Sequence, residues 1–162
     1  MRMIFRVFPL LILVVFVFMA YVQPTTSTSV KCMIQMINYT GEGAYVVISL
    51  LDSEGNYEKT LYVQGKDKEW YSDITEWWKF YGKRRSNIDA ISGATIGGGE
   101  RSITLIKVPN DKIDTGYRIR FETAVEDQEY YVDDVEFELT SEAIQSKVEG
   151  KGFIRYVRLM SQ

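Results

Sequence analysis

Histidine is absent from the 162 residues, and cysteine occurs once, at Cys32. Without histidine the chain lacks the base of Ser-His-Asp and Cys-His nucleophile systems and the ligands of His-bound zinc and haem sites. One cysteine cannot form an internal disulfide. Because buried free cysteine behaves as a small hydrophobic residue, Cys32 is predicted to be an apolar strand residue rather than a reactive thiol.

The chain also has no excess of positive charge. It contains 19 Lys and Arg and 22 Asp and Glu, which gives a net charge of −3. An acidic domain does not attract phosphate backbones, so nucleic-acid binding is not expected. Aromatic residues are well represented at 14%. Such residues pack well on the pleated surface of a sheet, and this composition favours strands.

Charge is missing from the segment that follows Arg6. Residues 10–22 (LLILVVFVFMAYV) come after a short basic start with Arg2 and Arg6, which is the pattern of a signal peptide. Counted from Val7, the apolar run has about 16 residues, short of the ~20 that span a bilayer comfortably. Residues 1–22 are therefore predicted to be a signal peptide or a membrane anchor, with cleavage left open because Val22 fits poorly beside a cleavage site. Residues 23–29 (QPTTSTS) form a polar spacer, and residues 30–162 form one extracytoplasmic domain.

Alternating apolar and polar residues between turn signals predict about seven short strands. Asp73 is predicted to cap a short helix, with Glu76 completing a capping box and Gly82 following its end. Residues 140–148 are left open between a helical turn and a loop. The predicted fold is an all-β, antiparallel, Ig-like β-sandwich with one short helix. The predicted strands cover residues 30–39, 44–51, 59–64, 101–108, 117–125, 130–139 and 152–160.

The segment Asp89-x-x-Ser92-Gly93-Ala94-Thr95 matches the pattern D-x-x-[S/T]-G-A-[S/T]. It resembles the attachment site of covalently flavinylated extracytoplasmic proteins, in which a magnesium-dependent flavin transferase joins FMN to the last hydroxyl through a phosphodiester. The resemblance implies Thr95 as the attachment point and Asp89 as the acidic recognition position. It implies Ser92, Gly93 and Ala94 as the small residues past which the flavin phosphate approaches Thr95. Small side chains before Thr95 would let a phosphorus atom reach its hydroxyl. The alternative is an ordinary glycine-rich surface turn.

Aromatic residues precede this motif, and Trp77, Trp78 and Tyr81 are candidate contacts for the flavin ring because flat side chains stack on flat rings. The alternative is that they close the open end of the sandwich as core residues. Residues 83–85 (KRR) could offset a phosphate charge or form a solvated charge run.

The combination of WYSDITEWWKFYGKRR at 70–85 and DAISGAT at 89–95 resembles a family of exported bacterial proteins, domain of unknown function 2271. The resemblance covers residues 30–159. It implies a periplasmic or membrane-anchored location and, as partners, a flavin transferase and a membrane reductase of the PepSY type. The twin arginine of Tat-type signals is missing, which favours export of an unfolded chain and addition of FMN afterwards.

These observations give a leading hypothesis and an alternative. The leading one is an extracytoplasmic electron-transfer protein with covalent FMN on Thr95, a carrier rather than a stand-alone enzyme. If residues 7–22 are retained, they would tether it to the membrane. The alternative is a non-catalytic, Ig-like binding or structural module of a cell-envelope complex. A hydrolase finds little support, because adjacent acids such as Asp133 and Asp134 point to opposite sides of a strand.

Overall fold

The computed structural model describes residues 26–161. The signal or anchor predicted for residues 1–22 lies outside this range. Nine strands and one α-helix make up the regular structure of the described part. In chain order they are β1 (Ser27–Met36), β2 (Tyr45–Leu51), β3 (Tyr57–Gln64), α1 (Thr75–Arg84), β4 (Ser92–Gly93), β5 (Arg101–Pro109), β6 (Arg118–Ala124), β7 (Tyr130–Glu138), β8 (Lys147–Glu149) and β9 (Ile154–Ser161).

The strands form two sheets, which confirms the predicted all-β sandwich. One sheet has the order β5-β1-β9-β8 and the other β4-β3-β2-β6-β7. The long strands pair antiparallel, and only the short β4 adds to β3 in parallel. All seven predicted strands are confirmed to within three residues at each end. The stretch 140–148, left open by its sequence, contains a 3₁₀ turn at Ala143–Gln145 and the start of β8.

The main core lies between the two sheets and follows the alternation along each strand. In β1 the inward residues Val30, Cys32, Ile34 and Met36 are fully buried. The prediction for Cys32 is confirmed, since burial raises the pKa of its thiol to about 12 and leaves it protonated.

A second hydrophobic cluster covers the outer side of the five-stranded sheet. Here Tyr71, Trp77 and Tyr81, from a 3₁₀ turn at Lys68–Asp73 and from α1, pack on Val47 and Val63. Strand β2 is therefore buried on both sides, which explains its nearly continuous apolar sequence YVVISLL.

The predicted start and end of the helix are both wrong. Ile74, rather than Asp73, occupies the N-cap position, and no side chain of the helix start caps it. The first turn instead donates to strands of the sheet below, with Glu76 N–H reaching the Tyr130 hydroxyl and Trp77 N–H reaching Glu122 Oε2, at 3.2 and 3.3 Å. Gly82 lies inside the helix, which ends at Arg85 in a left-handed conformation with φ of 43°.

Glu122 is the buried acid that makes this arrangement possible. It is fully buried on β6 and accepts hydrogen bonds from Tyr57, at 2.7 Å, and from Tyr130 as well as from Trp77 N–H. Desolvation opposes the charged form more strongly than these donors favour it, and raises the pKa of Glu122 from 4.5 to about 7.

We therefore expect stability to fall as pH rises from about 4.5 to about 7. In this window folded Glu122 keeps its proton while the unfolded chain has lost it, so raising the pH favours unfolding. The full loss is about 3 kcal/mol, from about 1.4 kcal/mol per pKa unit. Urea unfolding at pH 4.5, 6 and 8 measures it. Glu122→Gln, which cannot ionise, should flatten this slope; an equal slope in both proteins would assign the titration to other groups.

Candidate functional site

The segment from Asp89 to Thr95 starts with a 3₁₀ turn at Asp89–Ile91 and continues into β4. Strand β4 pairs with the end of β3, and Gly65 N–H donates to the Gly93 carbonyl at 2.7 Å. The hydroxyl of Tyr62 occupies the space in which a Cβ on Gly93 would lie. Glycine at this position lets the segment approach the sheet closely enough to pair.

The other side of Thr95 is held by Ile96, which is buried. Ile96 and Ala44 exchange two backbone hydrogen bonds of 2.7 and 3.1 Å. The Tyr39 hydroxyl donates to the Ile96 carbonyl and accepts from Ala44 N–H, at 2.7 and 2.9 Å. Thr95 is therefore an exposed residue held between two anchored neighbours.

Thr95 lies directly against Gly43. A Cβ on Gly43 would be 2.5 Å from Thr95 Oγ1 and 2.8 Å from Thr95 Cβ. No side chain fits between them. Thr95 also lines an open pocket of about 170 Å³, which we call the Thr95 pocket. This pocket is lined by Glu42, Gly43, Tyr45, Trp70, Asp73, Thr95, Ala124, Val125 and Glu126.

The Thr95 pocket is acidic. Glu42, Asp73 and Glu126 line it, and among the described residues no lysine or arginine does. The pKa of Tyr45 is raised by its burial and further by nearby carboxylates, including Asp73 and Glu126. A free anion would therefore be held weakly here, whereas a covalent bond would retain it.

Trp70 is the more exposed of the two aromatic residues, Tyr45 and Trp70, that line the Thr95 pocket. It is 38% exposed, lines the same pocket, and lies on the 3₁₀ turn that begins after Asp67, whose carboxylate accepts from Glu69 N–H. The sequence contains Trp70 in a dense aromatic run, but no signal there separates it from the buried Tyr71 next to it. The 3₁₀ turn, whose start is fixed by Asp67, directs Tyr71 into the protein and leaves Trp70 exposed.

The structure places the predicted ring contacts away from the Thr95 pocket. Trp77 is fully buried, donates from Nε1 to Thr60 at 2.8 Å and stacks on Tyr81 at 4.6 Å. Trp78 is half-buried and lines a separate open groove of about 360 Å³. We call it the Trp78 groove; it is lined by Lys68, Tyr71, Trp78, Tyr81 and Arg85.

The remaining predicted residues lie along the same segment as Thr95. Asp89 is exposed and forms an ion pair with Lys68, at 3.1 Å from Nζ to Oδ1. Lys68 is one of the residues that line the Trp78 groove. Ser92 is half-buried, with its hydroxyl 3.4 Å from the Asp89 carbonyl. Ala94 is exposed beside Thr95. The basic run 83–85 lies at the end of α1, with Arg84 over the Phe80 ring.

Within residues 26–161 no helix is long and apolar enough to cross a membrane. The same range contains no group of three or more acidic, cysteine or histidine side chains arranged to hold a metal ion.

Comparison with protein-family models identifies a family. A family model described as "Predicted periplasmic protein (DUF2271)" matches residues 27–156. No curated protein and no solved structure matches the chain.

Proposed function

The chain belongs to the DUF2271 family of predicted periplasmic proteins, and from the geometry around Thr95 we propose that it is an extracytoplasmic electron carrier with FMN bound covalently to that residue. The family description supports the extracytoplasmic location. One observation carries the proposal: Thr95 is exposed on a segment fixed on both sides, with its hydroxyl against Gly43, and it lines a pocket that Trp70 also lines.

The proposed attachment consumes a flavin dinucleotide. Thr95 Oγ bonds to the phosphorus next to the flavin, the pyrophosphate bond breaks, and a nucleoside monophosphate leaves while a base of the transferase takes the hydroxyl proton. A Cβ on Gly43 would collide with Thr95 Oγ1, so this glycine keeps the approach to the oxygen free.

The pocket explains why such a cofactor would need a covalent bond. Glu42, Asp73 and Glu126 repel a phosphate, so FMN would dissociate from this site if it were held by charge alone. At about 170 Å³ the pocket is also smaller than ordinary ligand pockets of roughly 300–1,000 Å³. A flavin ring would therefore be covered only in part, and its open side would face a redox partner. When bound, FMN supplies the transfer of one or two electrons.

The experiment is co-expression of the full chain with a flavin transferase, followed by intact mass spectrometry and peptide mapping. We expect a gain of one FMN less one water, located on the peptide that contains Thr95. A transferase that modifies a known acceptor in the same cells but leaves this chain unmodified would overturn the proposal. The alternative, a binding or structural module of the cell envelope, would then be favoured.

We expect Trp70→Ala to leave the mass gain unchanged and to raise the fluorescence of the attached flavin. A stacked tryptophan quenches flavin emission, and Trp70 is the exposed aromatic residue of the Thr95 pocket. Trp78→Ala is the matched control, because it removes the same side chain from the Trp78 groove. If Trp78→Ala raises the fluorescence and Trp70→Ala does not, the ring lies in the Trp78 groove, as the sequence predicted.

A further inference from the structure

The outer face of the four-stranded sheet is covered by neither a helix nor another sheet within the described residues. We define the basic face as the outward side chains of this sheet. The register places Ile103 opposite Met33, and Leu105 opposite Lys31, on adjacent strands. On the other side of β1, Arg158 is opposite Met33. The basic face consists of Ser29, Lys31, Met33, Gln35, Arg101, Ile103, Leu105, Lys107, Lys147, Glu149, Tyr156, Arg158 and Met160.

The charge of this face is opposite to that of the whole chain. The chain carries a net charge of −3, yet Glu149 is the one carboxylate on the four strands. Glu149 is paired with Lys147 at 3.5 Å. The other cations of the face are Lys31, Arg101, Lys107 and Arg158. The face is therefore positive in a protein that is otherwise acidic.

The same face exposes large apolar side chains. Ile103 is 62% exposed and Leu105 is 53% exposed, and both lie between the cations of β5. Leu and Ile that are surrounded by Lys and Arg are typical of surfaces that lie on a bilayer. There the apolar side chains enter the headgroup region while the basic ones contact anionic lipid.

If residues 7–22 are retained as an anchor, the chain that precedes β1 would bring a bilayer close to this face. The apolar run of residues 7–22 ends five positions before Ser27, the first residue of β1. Residues 23–26 reach at most about 15 Å when fully extended. Since β1 lies inside the four-stranded sheet, a bilayer that holds the apolar run would lie within reach of Lys31, Leu105 and Lys107.

We propose that the basic face docks on an anionic phospholipid surface. The contact would fix the orientation of the domain.

Thr95 lies near the end of the sandwich opposite to Ser27, because β5, which follows Thr95 in the chain, starts beside the last residues of β1. If the domain stood on its Ser27 end, Thr95 would lie about 30 Å further from the bilayer than Ser27, because the ten residues of β1 rise about 3.3 Å each. A domain lying on the basic face keeps both ends beside the bilayer. The proposal does not rest on the presence of FMN.

The experiment is flotation of residues 26–162 with vesicles. This part of the chain contains all the residues of the two hydrophobic clusters described above, and cooperative urea unfolding of residues 26–162 verifies that it is folded before flotation. We expect binding to vesicles of phosphatidylcholine with 30 mol% phosphatidylglycerol, weak binding to pure phosphatidylcholine, and loss of binding in high salt. Lys31→Glu with Lys107→Glu, and separately Ile103→Ser with Leu105→Ser, should each lower the partition coefficient by about tenfold or more.

The matched control makes the same charge change elsewhere. Lys66→Glu with Lys83→Glu replaces two exposed lysines off the basic face and should leave most of the binding to anionic vesicles intact. If this control loses as much vesicle binding as Lys31→Glu with Lys107→Glu, the net charge of the protein alone would explain the loss, and the proposal would be overturned. Absence of vesicle binding would also overturn it. A dimer in sedimentation velocity that Ile103→Ser with Leu105→Ser dissociates would identify a second copy as the occupant instead.

Discussion

Thr95→Ala is expected to abolish the gain of one FMN less one water completely. The phosphodiester needs a hydroxyl oxygen at this position, and alanine supplies none. Thr95 is exposed, so the substitution should cost within about 0.5 kcal/mol of stability. Intact mass spectrometry after co-expression with the transferase measures the modified fraction directly.

Two controls separate this chemistry from a loss of fold. Thr95→Ser keeps the hydroxyl and should keep most of the modification. Ser92→Ala removes the other hydroxyl of the motif, which is half-buried, and should slow the modification without abolishing it. Modification that persists in Thr95→Ala but disappears in Ser92→Ala would move the attachment point to Ser92.

Gly43→Ala tests the geometry without changing Thr95. Its new Cβ would be 2.5 Å from Thr95 Oγ1, so the threonine side chain must shift. We expect slower modification in a domain that still unfolds cooperatively. Unchanged modification would show that the transferase accepts Thr95 in a displaced position, and the contact with Gly43 would then have no part in attachment.

The sequence predicted most strands well because they repeat an apolar residue at every second position, and one buried face enforces that period; β2, buried on both sides, was recognised instead by its short apolar run between turn residues. It failed at both ends of the helix for a different reason. The cap of the first turn comes from Glu122 and Tyr130, which lie far along the chain, and no local spacing contains that information. The same distant contacts explain the burial of Glu122, which the alternation of β6 assigns to the polar side.

The candidate site was predictable in part. The motif identified Thr95 as a residue in a small-residue segment, and the structure places it in an exposed position. Its neighbours in space come from three separate segments, since Gly43, Trp70 and Ala124 all border the same pocket. Aromatic content alone pointed to Trp77 and Trp78, because composition does not show which side of a helix packs on the sheet.

Asp134 is expected to be the most important single acid for stability, and Asp134→Ala should lower the free energy of unfolding by about 4 kcal/mol. The carboxylate is fully buried on β7 and accepts from the Thr123 hydroxyl at 2.6 Å. It also accepts from the backbone N–H groups of Lys151, Gly152 and Ile154 at 2.8–3.1 Å. Asp134 thereby joins β7 in one sheet to the start of β9 in the other. Its removal takes the acceptor from two buried donors, the Thr123 hydroxyl and Ile154 N–H, and from the part-buried Gly152 N–H, at about 1–3 kcal/mol each where water does not replace it. Lys151 N–H keeps the Asp134 carbonyl as a partner.

The adjacent residue provides the matched control. Asp133 has a side chain that is 47% exposed and pairs with Lys151 Nζ, so Asp133→Ala should change stability by less than about 1 kcal/mol. Asp134→Asn keeps one acceptor but turns an amide N–H₂ towards backbone donors, and should lie between the two alanine variants. Urea unfolding at pH 7, followed by the emission of the buried Trp77, compares all three with the parent protein. Equal losses in Asp133→Ala and Asp134→Ala would mean that the turn before β9 finds other acceptors, and that the carboxylate does not hold the two sheets together.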